Sequence, residues 1–383
     1  MKILSIETSC DETSVAIVED GRKVLANVIA SQIDLHAKTG GVVPEVAARE
    51  HVLKIIPVLD ECLTEAKCGW DDIDALAITK GPGLVSSLII GTETANVISF
   101  VKNKPMIPVQ HIVGHIYSNW LEDPESIKAC AKNGIDSRLR GNDREKGNDS
   151  PRRTSGNDAE PQFPIIILTV SGGHNELVLM RDHHKFEILG ETRDDASGEA
   201  FDKVARILGL GYPGGPVISK SALNGDNQAF DLPKSYLEKD SLDFSFSGLK
   251  TAVLNEVKSY AKNNSVFSEA ELPEKFKNDL SASFQEAVVE VLSDKLIMAY
   301  EKYPEVRELH LSGGVSANTR LREVIESKLP KTVKFRHPKS LKFCTDNAAM
   351  IASAAYYLYK LNPKKFKPAT NIIPSTSFEI ESL

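Results

Sequence analysis

No run in this chain comes near the roughly 18 consecutive apolar residues that a membrane-crossing helix requires. Its opening, Met1-Lys-Ile-Leu-Ser-Ile-Glu-Thr8, lacks the apolar region of a secretory signal. Cysteine is scarce: Cys10, Cys62, Cys68, Cys130 and Cys344 make an odd five with no Cys-x-x-Cys pair, a count and spacing that suit a reducing compartment. Neither a Gly-x-x-x-x-Gly-Lys-[Ser/Thr] phosphate loop nor a His-Glu-x-x-His zinc motif is present. Positive charge is short as well: the formal net charge of −7 argues against indiscriminate nucleic-acid binding over the whole surface. These absences lead us to expect a soluble cytoplasmic protein with no membrane role, whose nucleic-acid contacts, if it has any, are local.

What is there is enough for two or three domains: 383 residues, 41% of them apolar. The charge is uneven. Residues 328–367 hold ten Lys/Arg against one acid, Asp346, and interleave them with Phe335, Phe343, Tyr356, Tyr357, Tyr359 and Phe366. Such a span either meets phosphates and bases or is a solvated helix face with core aromatics behind it. Residues 131–162 differ from everything else. They have almost no large apolar side chains, nearly balanced charge (seven basic, six acidic), and Gly-Asn-Asp three times, at 141–143, 147–149 and 156–158. A segment of that composition cannot bury a core and is expected to be a disordered surface insertion.

Short apolar runs at 2–6, 14–18, 75–79, 107–109, 164–170, 176–180 and 308–311 read as strands. The first two enclose a turn of hydroxyls and carboxylates, Glu7-Thr-Ser-Cys-Asp-Glu-Thr13; the turn at Ser171-Gly-Gly-His174 repeats the idea with glycines. Residues 46–63 have helical period, with Val52, Ile55, Ile56 and Leu59 assigned to one side. Helices are also expected after Gly81-Pro-Gly83, from Asp194 with Asp202 deeper inside, and after Ser312-Gly-Gly-Val-Ser-Ala-Asn318. The pattern suggests two related α/β halves facing a cleft.

His111 and His115 are four apart, so a helix puts both on one face. With a distant carboxylate, Asp346, they make a two-His-one-carboxylate set that suits Fe(II) or Zn(II) and leaves coordination positions open. The glycine turn at Ser171 lets backbone N–H groups approach a phosphate. The turn at Ser312 precedes a helix, the usual place to bind a nucleotide. Tyr212-Pro-Gly-Gly-Pro216 is a rigid turn that either closes a loop or packs against a ribose.

These segments, together with Gly40-Gly-Val-Val-Pro-Glu45, Gly198-Glu-Ala-Phe-Asp-Lys203, Asp243-Phe-Ser-Phe-Ser-Gly-Leu-Lys250 and Cys344-Thr-Asp-Asn347, occur in one family's order. The chain closely resembles the TsaD/Gcp family of tRNA threonylcarbamoyladenosine transferases, everywhere except 131–162. The resemblance implies an α/β fold of the actin/Hsp70-like (ASKHA) type, two lobes around a nucleotide cleft. Residues 1–125 with about 345–383 would form the first lobe and 163–344 the second. It implies transfer of a threonylcarbamoyl group from threonylcarbamoyl-adenylate to N6 of adenosine 37 in tRNAs reading codons that begin with A. By position, His111, His115 and Asp346 match the metal ligands; Fe(II) is the metal expected, with Zn(II) as the alternative. Thr169, Val170, Ser171, Gly172, Gly173, Asp202, Gly215 and Asn318 match adenylate-binding positions, and Asp11 and Glu12 an acidic loop near the reacting group. The partners implied are tRNA, a TsaB-like paralogue and a TsaE-like ATPase. Two departures stand out. Val113 occupies a place where many members carry Glu, and the hydrophilic segment resembles in-frame inserts encoded by mobile repeats.

The chemistry so implied needs a polarised carbonyl, a departing AMP and a positioned N6. Asp11 is the expected acceptor or orienter of the N6 proton; its other reading, with Glu12, is ordinary hairpin-turn chemistry. Two further readings stay open at this point. A metallopeptidase would use the histidines to activate water, although no Glu follows His111 to serve as base. An ASKHA-type ATPase or chaperone would have no need of them.

Overall fold

The computed structural model describes residues 1–122, 160–238, 240–265, 268–378 and 380. The hydrophilic insertion expected at 131–162 lies, except for residues 160–162, outside the described residues.

The first apolar runs pair as expected. β1 (Lys2–Glu7) and β2 (Glu12–Glu19) form an antiparallel hairpin with Ser5 opposite Ala16, and β3 (Lys23–Ser31) extends it. A short α1 (Ile33–His36) and the long α2 (Pro44–Ala66) follow. β4 (Ala75–Gly81) then returns parallel to β1. After α3 (Val85–Lys102), β5 (Met106–Gln110) lies parallel to β4 and runs directly into α4 (His111–Tyr117). The sheet order is β3-β2-β1-β4-β5.

The second half repeats this plan. β6 (Ile165–Val170), β7 (Asn175–Asp182) and β8 (Lys185–Glu191) form the meander. Four helices follow: α5 (Ser197–Ile207), α6 (Gly214–Ala222), α7 (Ser247–Asn264) and α8 (Glu274–Lys302). β9 (Glu308–Ser312) then lies parallel to β6. After α9 (Thr319–Lys328), β10 (Lys334–Arg336) lies parallel to β9, and α10 (Ala348–Leu361) comes last. Read from the meander inward, the order is β8-β7-β6-β9-β10, the first sheet over again.

The inner strands of both sheets are buried on both faces and read as near-continuous apolar runs, whereas the edge strands β3 and β8 are partly exposed. Leu4, Ile6, Val15 and Ile17 cluster with Ile55 and Leu59 of α2 and Ala95 of α3. Their strand neighbours Ile3, Ala16 and Val18 cluster instead with α4, α10 and, from the second sheet, Ile165, Ile167, Val178 and Met180. The other face of the second sheet, Ile166, Leu168, Leu177 and Leu179, packs on α5 to α9. The two sheets therefore share one middle layer, α4 and α10, and that layer carries the histidine pair at its edge. This is the two-lobed actin/Hsp70-like arrangement.

Two local expectations need correction. Val52, Ile55, Ile56 and Leu59 do not share a side: Ile55 and Leu59 are buried, while Val52 and Ile56 are 57% and 60% exposed. Each pair is an i, i+4 row, but the two rows lie about 60° apart around the helix, and only one of them meets the core. Asp194 does not start the helix that contains Asp202. That helix begins at Ser197, and Asp194 instead accepts hydrogen bonds from the backbone N–H groups of Phe246 and Ser247 at the start of α7, at 3.0 and 3.4 Å. A carboxylate satisfies those orphan donors whichever helix they belong to. Among the described residues no helix is long and apolar enough to cross a membrane.

Candidate metal centre and cleft

α4 follows β5 without a connecting loop because the Gln110 side chain caps it, accepting from Val113 N–H at 2.8 Å. The helix is buried along its whole length and lies close against α10. Gly114 permits that approach: a Cβ there would sit 2.6 Å from Ile351 Cδ1. The start of α10 is pinned in turn. Asn347 caps it, Ser14 Oγ accepts from Ala348 N–H at 2.9 Å, and Ser5 Oγ donates to Ala348 O at 2.6 Å. Asp346 precedes this cap and is thereby held against the histidines.

The three side chains converge. Asp346 Oδ1 lies 3.4 Å from His111 Nε2 and 3.1 Å from His115 Nε2, and the three potential ligand atoms fall within 4.8 Å of one another. Ligands bonded at about 2.1 Å to one centre, 90–109° apart, lie about 3.0–3.4 Å from each other, so the two spacings from Asp346 to the histidines fit a shared ion. His115 supplies an independent sign. Its ring is wholly buried; Nδ1 has no hydrogen-bond partner among the described residues, and Nε2, though 3.1 Å from Asp346 Oδ1, makes no well-directed hydrogen bond there. A buried imidazole is rarely left so unless something else takes its lone pair.

Glu7, the last residue of β1, was not singled out from the sequence. It is fully buried and accepts from Ser9 N–H and the Thr79 hydroxyl, and its Oε2 lies 3.2 Å from His111 Nδ1. That contact assigns the proton of His111 to Nδ1 and leaves Nε2 free to ligate, the usual carboxylate–histidine backing of a metal. Burial disfavours charge on all three groups, yet their mutual attraction prevails. The pKa of His111 is raised well above its ordinary value by Asp346 and Glu7. Both carboxyls, Asp346 and Glu7, are held below the usual range by the imidazoles. The pocket is thus built to take positive charge.

Asp11 and Glu12 end the neighbouring hairpin turn. Its shape is fixed by close backbone packing: Leu84 N–H donates to Ser9 O at 2.8 Å, and a Cβ on Gly83 would sit 2.5 Å from that same oxygen. His51 holds the other side, with Nε2 3.0 Å from Cys10 O. Burial first, and then the charges of Asp11 and Asp346, push both Glu12 and the Cys10 thiol well up. The acidic turn is therefore reluctant to carry a second negative charge.

The second lobe answers with glycines. Ser171 N–H donates to His174 O at 2.8 Å and closes the turn, and nothing lies within 4 Å of a Cβ placed on Gly172 or Gly173. In the other two glycine pairs one member packs and one stays open. Gly214 would strike Phe201 O and Asp202, whereas Gly215 faces free space; Gly313 would strike Val170 O, whereas Gly314 is free. Asp202 Oδ1 accepts from Gly214 N–H at 2.6 Å, and burial raises its pKa. Of the remaining expected positions, Thr169 lies 3.0 Å from Ser312 Oγ, and Val170 points its side chain into the core, so it can offer only backbone. Asn318 is committed internally. It caps α9 through Leu321 N–H and gives its amide protons to Ser219 Oγ and Gln285 Oε1, at 3.2 and 2.8 Å. His174, part of the turn but given no role from the sequence, senses the metal set. Burial, with a smaller push from His111 and His115, lowers it to about 4, so it is neutral at ordinary pH.

The family model described as TsaD: tRNA N6-adenosine threonylcarbamoyltransferase matches residues 23–131 and 152–353. A protein of Thermomicrobium roseum carrying that name is 48% identical over 369 residues, 94% of this chain and 92% of the relative. One of Bacillus cereus, with the same name, is 46% identical over 379 residues, 98% and 96%. Among solved structures, full-length HypF in its phosphate- and nucleotide-bound form has a TM-score of 0.52, covering 94% of this chain and 55% of its own. HypF of T. kodakarensis has a TM-score of 0.53, covering 97% and 49%. At 13% identity these two likenesses speak to the fold alone.

Proposed function

The chain belongs to the family of tRNA N6-adenosine threonylcarbamoyltransferases, and from that premise we propose how its cleft performs the transfer. The enzyme acts on tRNA and forms t6A. The donor we infer is threonylcarbamoyl-adenylate. Adenine N6 attacks the carbamoyl carbon, the bond from that carbon to the AMP phosphate oxygen breaks, AMP leaves with the electron pair, and N6 loses a proton.

A divalent ion held by His111, His115 and Asp346, Fe(II) or alternatively Zn(II), would supply a Lewis acid and a template for the acyl group. Glu7 fixes the His111 tautomer for that task. The N–H groups of Gly172 and Gly173, in the turn that Ser171 closes, receive the phosphate or the developing oxyanion. Asp202 and Gly215 flank the nucleoside, while Thr169, Val170 and Asn318 hold the turns in shape. Asp11 orients N6 and takes its proton, and Glu12, kept from ionising easily, limits repulsion of the phosphate. The observation that carries this reading is the convergence of His111, His115 and Asp346 with the orphaned His115 ring.

The metallopeptidase reading gains nothing from the geometry, since Glu7, the carboxylate against His111, is occupied by three donors. The ATPase or chaperone reading leaves the buried histidines without work. The test is nucleoside analysis of tRNA from cells depleted of this protein. Wild type should restore t6A and Asp346→Ala should not. Full restoration by Asp346→Ala would sink the reading.

The lobes of this reading are 1–125 with about 345–383, and 163–344. Its partners are a TsaB-like paralogue and a TsaE-like ATPase, in the cytoplasm. The exposed stripe Val52, Leu53, Ile56 on α2, beside Val97, Phe100 and Val101 on α3, is an apolar face that suits the paralogue.

A further inference from the structure

Across the mouth of the cleft, the lobes are tied by a contact that neither the metal set nor the glycine turns explain. Arg206 lies one helical turn beyond Asp202 on α5, so both share a face. Its Nη2 donates to the carbonyl of Gly40, in the first-lobe loop 37–43. That loop is braced to present this oxygen. Thr39 Oγ1 donates to His36 O and Gly41 O at 3.0 and 2.7 Å, Gly41 N–H donates to His36 O at 3.1 Å, and Val43 N–H to His36 Nδ1 at 3.3 Å. Gly40 has φ +69°, which a side chain would resist, and the atoms nearest a Cβ on either Gly40 or Gly41 belong to Arg206.

We propose that loop 37–43 and Arg206 form a latch over the donor, closing the cleft so that water is kept from the carbamoyl carbon until the tRNA adenine arrives. The proposal rests on the transferase reading above. The donor is a mixed anhydride. If water attacks its carbamoyl carbon, AMP leaves with the electron pair, a proton is released, and the resulting N-carboxythreonine loses carbon dioxide to give threonine. The donor is then spent with no t6A formed. A closed cleft suppresses that loss. Arg206 is a positioning residue in this scheme; it touches the loop, not the reacting atoms.

The test counts AMP released and t6A formed by the assembled enzyme with donor and tRNA. In Arg206→Ala the ratio of AMP to t6A should rise about three- to tenfold, the range one exposed hydrogen bond of ordinary net strength can support. Arg206→Lys, which keeps the charge beside Asp202, should fall between that variant and wild type. Amide hydrogen exchange gives a second reading: donor should slow exchange at Thr39, Gly40 and Gly41 in wild type and not in Arg206→Ala. An unchanged ratio together with unchanged exchange would overturn the latch. Failure of the underlying transferase reading looks different, because wild type itself would then make no t6A.

Discussion

The hairpin turns of the two lobes occupy the same place in the same strand order, yet one is closed and acidic and the other open and made of glycine. The β1–β2 turn is packed by the segment leading into α3 and by His51, starts from Glu7, a buried carboxylate with three donors, and ends on Asp11 and Glu12. The β6–β7 turn has empty space above Gly172 and Gly173. Beside it Glu176 is half-buried, and its Oε2, itself buried, has no partner among the described residues. A repeated scaffold has been divided by side chains into two chemistries. On the function proposed above, one lobe gathers charge for a cation and a proton, and the other leaves backbone N–H groups bare for an anion.

The largest break in this comparison should come from the first lobe's ligands. His115→Ala or Asp346→Ala should abolish both bound metal, measured by elemental analysis, and transfer, measured as t6A per enzyme. The fold should persist, because α4 and α10 are held by apolar packing. Glu7→Gln keeps the shape and the ligands but removes the backing charge. Metal affinity should then fall about 10- to 100-fold, by titration against a competing chelator. Undiminished metal in these variants would mean the closed turn has no part in holding an ion.

Glycine substitutions sharpen the contrast one step further down. Gly173→Val adds a side chain where there is room, so melting should be little changed while donor binding weakens about tenfold. Gly83→Ala does the reverse: its Cβ would lie 2.5 Å from Ser9 O, so the acidic turn must shift and the melting temperature should drop. If both variants lost stability and kept donor affinity, the open turn would be a mere hairpin.

Much of this division was legible in the sequence and some was not. The i, i+4 histidines, the glycine turns and the strands that carry them are local patterns, and local patterns survive reading without a structure. Glu7 was hidden because it looks like the polar end of a strand. Its role comes from His111 and Thr79, more than 70 positions away. The orphaned state of His115, the split of Gly214 from Gly215 and the bridge from Arg206 to Gly40 are likewise tertiary facts. The exposed row on α2 was misassigned for a geometric reason: Ile55 and Ile56 are one residue apart and a quarter-turn apart in space.

Glu7 and Glu176 are shifted in opposite directions, the first down and the second up. Burial, with a contribution from Glu191, pushes Glu176 up to about 7. An unfolded glutamate titrates near ~4.3, so between those values the unfolded state binds fewer protons and stability falls as pH rises. Glu176→Gln removes that penalty. Its melting temperature should exceed wild type by a few degrees at pH 8 and match it only near about pH 3.5, below the unfolded value. A gain of equal size at that low pH would mean the effect is packing, not ionisation.

The smallest expected effect concerns where tRNA is held, and here position along the sheets decides. Of the ten cations in 328–367, Arg336 is buried against Glu308, and Lys328 pairs with Asp294 at 2.5 Å. Neither is free for a phosphate. The backbone of Lys367 meets Met106, which begins β5, whereas the metal helix leaves the other end of that strand. At about 3.3 Å per residue the basic tail lies roughly 13 Å or more from the histidines. Lys342 is different. β10 runs parallel to β9, so the chain beyond Arg336 emerges at the end where Ser312 leaves β9, and exposed Lys342 stands only four residues before Asp346. Lys342→Ala should flatten the salt dependence of tRNA binding by about 0.7–0.9 of a unit, as for one lost phosphate contact. Neutralising Lys364, Lys365 and Lys367 together should raise the dissociation constant no more than about twofold, because screening over a Debye length of about 8 Å leaves little at that distance. Donor binding should stay unchanged in both. If the tail variant loses more affinity and more salt slope than Lys342→Ala, the tRNA approaches from the first lobe's far end, and the open face of the second lobe does not guide it.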